Sequence, residues 1–143
     1  MKKFLIVLLL AFLFFTDTHA QQYEFKVITS VESIVPNGFG RSRLISANED
    51  KDKKNKSDRS DIRVANYEET KLLNFYNLGG IRFQNIAAND VVITSKLNDL
   101  SKQGWELVFV TSAVESFAGK EDTNGIFITR YTFKRALQEN NEE

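Results

Sequence analysis

The sequence predicts an α+β fold: a four- to five-stranded, mainly antiparallel sheet with one principal helix packed on one face. Three observations carry this. Apolar and polar residues alternate with period two over 23–31, and 126–134 reads as a closing strand with apolar residues on both faces. A single stretch between them, from Asn89 to Gly104, has helical spacing. Turn chemistry at Pro36–Gly40 and Ala118–Gly125 separates the strand-like segments.

The elements follow in order. Tyr23, Phe25, Val27, Thr29 and Val31 alternate with Glu24, Lys26, Ile28, Ser30 and Glu32, which reads as an opening strand over 23–35. Pro36-Asn37-Gly38-Phe39-Gly40 breaks it, and 41–46 returns as a short hairpin partner. From residue 47 to 61 the chain is almost wholly polar with balanced charge, so it buries nothing and is expected to be a mobile loop. Ile62, Val64 and Tyr67 suggest a short extended piece. The segment 70–77, containing Leu72-Leu73-Asn74-Phe75-Tyr76, fits a strand or one to two helical turns, and Gly79-Gly80 ends it either way. Residues 81–88 look irregular, with Phe83 and Ile86 as anchors.

Asn89 or Asp90 can cap the helix, and Ile93, Leu97 and Leu100 at i, i+4 and i+7 form its apolar stripe. Gly104 is suited to the left-handed position that stops it. A strand over 105–114 is expected to direct Trp105, Leu107 and Phe109 to one side. The closing strand, 126–134, sends Ile126 and Ile128 one way and Phe127, Tyr131 and Phe133 the other. Both faces of these last strands are therefore apolar, and one helix covers only one side of a sheet. The segment 72–86 is expected to cover the other side, with a second copy of the chain as the alternative. Residues 137–143 read as a frayed tail.

Residues 1–20 read as a signal peptide. Lys2 and Lys3 precede an unbroken apolar run from Phe4 to Phe15, followed by a polar exit with Thr18 and Ala20 at the small-residue positions. Twelve residues rise only about 18 Å as a helix, against about 30 Å of bilayer hydrocarbon, so no membrane span is expected after cleavage. The expectation is an exported protein, periplasmic or secreted, with a single domain over 21–136. The leader holds the chain's one histidine, His19, and the chain has no cysteine. Cleavage would leave neither imidazole nor thiol for catalysis or metal binding. The full chain balances 19 basic against 19 acidic residues. No basic excess points to nucleic acid or anionic lipid.

The block Leu97-Asn98-Asp99-Leu100-Ser101-Lys102-Gln103-Gly104-Trp105-Glu106-Leu107-Val108 resembles a small bacterial domain of unknown function. That family pairs an opening Tyr-x-Phe/Tyr-Lys-Val strand with a helix ending in Gly-Trp-Glu-Leu-Val and a closing strand rich in Lys and Arg. Tyr23-Glu24-Phe25-Lys26-Val27 and Tyr131-Thr132-Phe133-Lys134-Arg135 match its two ends. The resemblance covers the first strand and roughly the last 45 residues, and 36–88 has no counterpart in the minimal domain. It is similar also to longer, exported forms. It implies an antiparallel α+β sheet crossed by a helix, and no activity. Gly104 as cap and Trp105 folded back beneath the helix, with Leu107 beside it in the core, suffice to explain the motif.

Candidate chemistry is sparse. Glu32, Asp90, Glu106 and Glu115 lie in or beside apolar segments, where desolvation raises a carboxyl pKa, and two across a cleft would suit a hydrolase acting on cell-envelope polymers. Nothing in the sequence brings two of them together, so no catalytic residue is assigned and an enzyme is not expected. Gly38, Gly40, Arg41, Ser42 and Arg43 offer loop N–H groups and guanidinium forks suited to an anionic ligand, a carboxylate or phosphate. A hairpin tip whose arginines pair with Glu32 or Glu115 explains the same residues. Asp122-Thr123-Asn124-Gly125 lacks the distal acidic ligands of a calcium loop, and no metal or cofactor is expected. The functional expectation is a non-catalytic binding or accessory module, with a protein partner, self-association or an anionic ligand as its target.

Overall fold

The computed structural model describes residues 21–33, 42–47, 64, 67–77, 79–115 and 125–137. Residues 1–20, read as a signal peptide, the turns expected at Pro36–Gly40 and Ala118–Gly125 up to residue 124, Arg41 and the polar stretch 48–61 lie outside the described residues. The chain divides into two units, one of residues 1–23 with 136–143 and one of Glu24–Arg135. In the first, the Leu137 N–H donates to the Gln22 carbonyl at 2.9 Å and Gln21 Nε2 donates to the Leu137 carbonyl at 3.3 Å. The remaining description concerns the second.

The sequence folds as α+β. Strands β1 (Tyr23–Ser33), β2 (Arg43–Ala47), β3 (Tyr67–Lys71), β6 (Glu106–Glu115) and β7 (Ile126–Ala136) form one sheet in the order β3-β2-β1-β7-β6. A two-stranded hairpin, β4 (Tyr76–Asn77) with β5 (Gly80–Ile81), leads into the single helix α1 (Phe83–Lys102). The β1–β2, β2–β3 and β6–β7 pairs are antiparallel. Alternation then sorts side chains by face. Ile28 lies opposite Ser46 and Ser30 opposite Leu44, and all four are buried on the α1 side. On β7 the same side receives Tyr131 and Phe133. Glu68 of β3 reaches Lys96 of α1 at 2.6 Å, which fixes β3's facing and turns Glu69 the other way.

Ile28, Leu44, Leu72, Ile93, Leu100, Trp105 and Phe133 make the core, with Val92, Leu97 and Tyr131 packed against it. The predicted stripe therefore does its expected work, but the helix begins six residues before Asn89. The reason is that Asn89 does not cap, and Asn85 before it also bonds from within the helix. Asn85 Nδ2 donates to the Asn74 carbonyl at 2.7 Å, and Asn89 bonds to both backbone groups of Leu73. These bonds tie two polar helical positions to a neighbouring segment, so the helix runs on through residues that read as irregular.

At its other end α1 closes as expected. The Gly104 N–H donates to the Ser101 carbonyl at 3.0 Å and the Trp105 N–H to the Leu100 carbonyl at 3.1 Å. This 5→2 and 6→1 pair is a Schellman motif, with Gly104 at φ +83° and the accompanying contact made by Leu100 and Trp105 in the core.

Four further expectations are corrected. The segment 72–86 covers the α1 side, because Leu72 is in the core shared with α1 and its N–H donates to the Ser42 carbonyl at 3.0 Å. Leu107 is 43% exposed and not beside Trp105 in the core, since β6 is an edge strand. Phe109 faces away from Leu107: Leu107 pairs with Phe133 but Phe109 with Thr132, so Val108 is the extra residue of a bulge that reverses the alternation. Ala47, placed in the polar loop, ends β2 opposite Tyr67.

Candidate functional site

With α1 and the 72–77 segment on one side, the other side of the sheet has no covering element among the described residues. Register assigns to it Phe25, Val27, Thr29 and Val31 of β1, Ile45 of β2, Ile128, Arg130 and Thr132 of β7, and Phe109 and Thr111 of β6. Phe25 is 60% and Phe109 66% exposed, and Val27 is also exposed. β1 is the middle strand, so the apolar residues run down the centre of this face. Two ion pairs flank them, Arg43–Glu69 toward β3 and Lys134–Glu106, at 3.3 Å, toward β6. Exposed aromatic and β-branched residues with charged groups around them are the composition of a protein-binding surface.

The covered side holds a polar network instead. Ser42 is fully buried; its hydroxyl accepts from the Ser33 N–H at 3.0 Å and donates to Asn74 Oδ1 at 2.8 Å. Asn89 is 1% exposed and accepts from the Leu73 N–H at 2.7 Å. Its Nδ2 donates to the Leu73 carbonyl at 2.8 Å and to Glu32 Oε1 at 3.0 Å. Among the described residues no buried side-chain polar atom lacks a hydrogen-bond partner. Satisfied networks of this kind rigidify a core rather than offer sites to a ligand. Burial raises the Tyr131 hydroxyl above the usual phenol range; a hydrogen bond with Ser30 opposes this, and the charges of Glu32 and Asp90 add to it. On the surface, Lys96 holds the Glu68 carboxyl below its usual range, first by hydrogen bond and then by charge.

Lys26 of β1 and Arg135 of β7 meet at Trp105. Lys26 Nζ lies 5.1 Å and Arg135 Cζ 4.4 Å from its ring centroid, both at cation–π distance. Arg135 is held by Glu24 through Nε at 2.6 Å and Nη2 at 2.5 Å, and its Nη1 donates to the Gln103 carbonyl at 3.1 Å. Trp105 is 4% exposed, so these groups clamp a core side chain at the helix terminus.

The residues singled out from sequence separate. Gly38, Gly40 and Arg41 lie outside the described residues. Ser42 is in the network above, and Arg43 pairs with Glu69 and donates through Nη1 to the Ser42 carbonyl at 2.8 Å. Its partner is neither Glu32 nor Glu115. Glu32 is bound by Asn89, Glu106 by Lys134, while Asp90 and Glu115 are exposed. No group of three or more potential metal ligands occurs among the described residues. No described helix is long and apolar enough to cross a membrane. The exposed face itself had a sequence signal, the apolar residues on both sides of the closing strands. What the sequence lacked was which side the 72–86 segment takes. Comparison of this chain with family models, with curated proteins and with solved structures finds no match.

Proposed function

We propose that this chain is an exported, non-catalytic binding or accessory module that engages a protein partner through the sheet face opposite α1. One observation carries the reading: Phe25 and Val27 of β1 and Phe109 of the β6 edge stand exposed on a face that nothing described covers. Aromatic side chains held on a rigid sheet lose little entropy on binding and supply large contact areas. The leader-like features of 1–20 support export.

The rival, a carboxylate-dependent hydrolase, requires a pair of carboxylates free to exchange protons across a cleft. Glu24, Glu68, Glu69, Asp99 and Glu106 are each in an ion pair and Glu32 is bound by Asn89, which favours binding over catalysis. The test replaces Phe25 and Val27 together, Phe25→Thr and Val27→Thr, keeping β-branched residues in β1. Chemical crosslinking in the protein's own cells should then lose its partner adducts while the melting temperature stays within a few degrees of the parent. Adducts retained in full by the double variant, or absent from the parent, would contradict the reading.

A further inference from the structure

Most charges on the sheet face opposite α1 already have partners or stand at its margins. Register places on it Arg43 of β2, Glu69 and Lys71 of β3, Arg130 and Lys134 of β7, and Glu106 and Glu115 of β6. Arg43 pairs with Glu69 and Lys134 with Glu106. Lys71 and Glu115 end the two edge strands, where water reaches them whatever covers the middle of the sheet. Arg130 differs. It belongs to β7, an inner strand, and is exposed. Among the described residues no ion pair or hydrogen bond engages it. It lies opposite Thr111 and one diagonal step from Phe109, which pairs with Thr132.

We propose that the partner of this face is a protein surface that brings a carboxylate, from an Asp or Glu side chain, to Arg130, with apolar side chains around it for Phe25, Val27 and Phe109. The inference rests on the reading of this face as a protein-binding surface and adds the chemistry of what binds. In the sheet order β7 lies between β1 and β6. A partner that covers Phe25 and Val27 on one side and Phe109 on the other therefore crosses β7 beside Arg130. It strips water from a guanidinium that this chain does not pair. A cation left unpaired under a docked surface is strongly unfavourable, whereas a carboxylate accepts two parallel N–H bonds from the planar fork. A cationic or wholly apolar partner is selected against by the same group.

An anionic bilayer offers the same charge but fits the face less well. Glu69, Glu106 and Glu115 stand on it too, and a surface negative over its whole extent repels them. A protein can set one carboxylate at Arg130 and leave those margins to water. Arginine and aromatic side chains are also the residues that most often anchor protein interfaces, and here Arg130 and Phe109 are neighbours on adjacent strands.

The readout is the adduct that a photo-crosslinking amino acid at position 27 forms in the protein's own cells, compared across variants. Arg130→Glu should lower its yield roughly tenfold or more, Arg130→Gln less, and Arg130→Lys least. Lys71→Glu, a charge reversal at the margin of the same face, should change it less than about twofold. Arg130 is exposed and unpaired, so every variant should melt within a few degrees of the parent. Mass spectrometry of the parent adduct should find an Asp or Glu in the joined partner segment, and changing it to Lys should restore the adduct of Arg130→Glu. A parent adduct that Arg130→Glu leaves intact, or that Lys71→Glu lowers equally, overturns the inference while the face stands as a binding surface. So does a joined segment without an acidic residue. No parent adduct at all overturns the binding surface and the inference with it. Co-sedimentation of the parent, but not of Arg130→Glu, with phosphatidylglycerol vesicles overturns the choice of a protein partner.

Discussion

Replacing Asn89 by alanine should destabilise the protein by about 2–3 kcal/mol. Asn89 is buried and lies one helical turn before Ile93 in the α1 stripe, where an apolar residue would be expected. It makes three hydrogen bonds: from the Leu73 N–H, to the Leu73 carbonyl, and to Glu32. Asn89→Ala removes them all and leaves both Leu73 backbone groups without a partner. Each lost partner costs roughly 1–3 kcal/mol when the group stays dry. Leu73 is half exposed, so water recovers part of this and the lower end of the range applies. Asn89→Asp separates the contributions. Its carboxylate still accepts from the Leu73 N–H but faces the Leu73 carbonyl and Glu32 without a donor to offer either. At neutral pH it should cost at least as much as alanine, and stability should return as the pH falls and one carboxyl takes up a proton. Urea denaturation of the parent and both variants at neutral and mildly acidic pH reads these differences. An alanine variant within about 0.5 kcal/mol of the parent, or an aspartate variant more stable than alanine at neutral pH, would refute the role given to Asn89.

Two other outcomes follow from the geometry. Gly104→Ala should cost about 1–2 kcal/mol in the same assay, because a Cβ would have open contact, 3.6 Å from Arg135 Cδ, yet the backbone sits at φ +83°; Gly104→Asn should cost less. Tyr131, whose folded pKa is raised, contributes stability that is full below the ordinary phenol value of about 10 and is lost as pH rises through the folded value. Tyr131→Phe should remove that part of the alkaline loss, read as the difference between two stability–pH curves.

Local patterns in the sequence carry much of this fold. Ile93, Leu97 and Leu100 identify the helix, Gly104 its end, and Tyr131 and Phe133 the inner side of β7, because each follows from spacing along one element. The rest depends on partners distant in the chain. Asn89 reads as a boundary, and 81–88 as irregular, until Leu73 and Asn74 are seen to bond Asn89 and Asn85 inside the helix. Val108 is an ordinary strand residue by type, and only pairing against Phe133 and Thr132 makes it the bulge that sends Phe109 outward. Arg43 carries no mark of its pairing with Glu69, 26 residues on. The candidate face was half legible: two apolar sides required two covers. One cover was misassigned, since the turn from β3 into Leu72 decides which side the following segment takes, and hydrophobicity is the same either way.

The central claim is that the face centred on β1 is where this protein meets its partner. A photo-crosslinking amino acid placed at position 27, in the middle of that face, tests it most directly, with position 91 as the control. Val91 is exposed too, at 70%, but on α1, which packs on the other side of the sheet. In the protein's own cells, irradiation should give a discrete adduct from position 27 and none from position 91. Adducts from position 91 alone, or from neither position, would contradict the account.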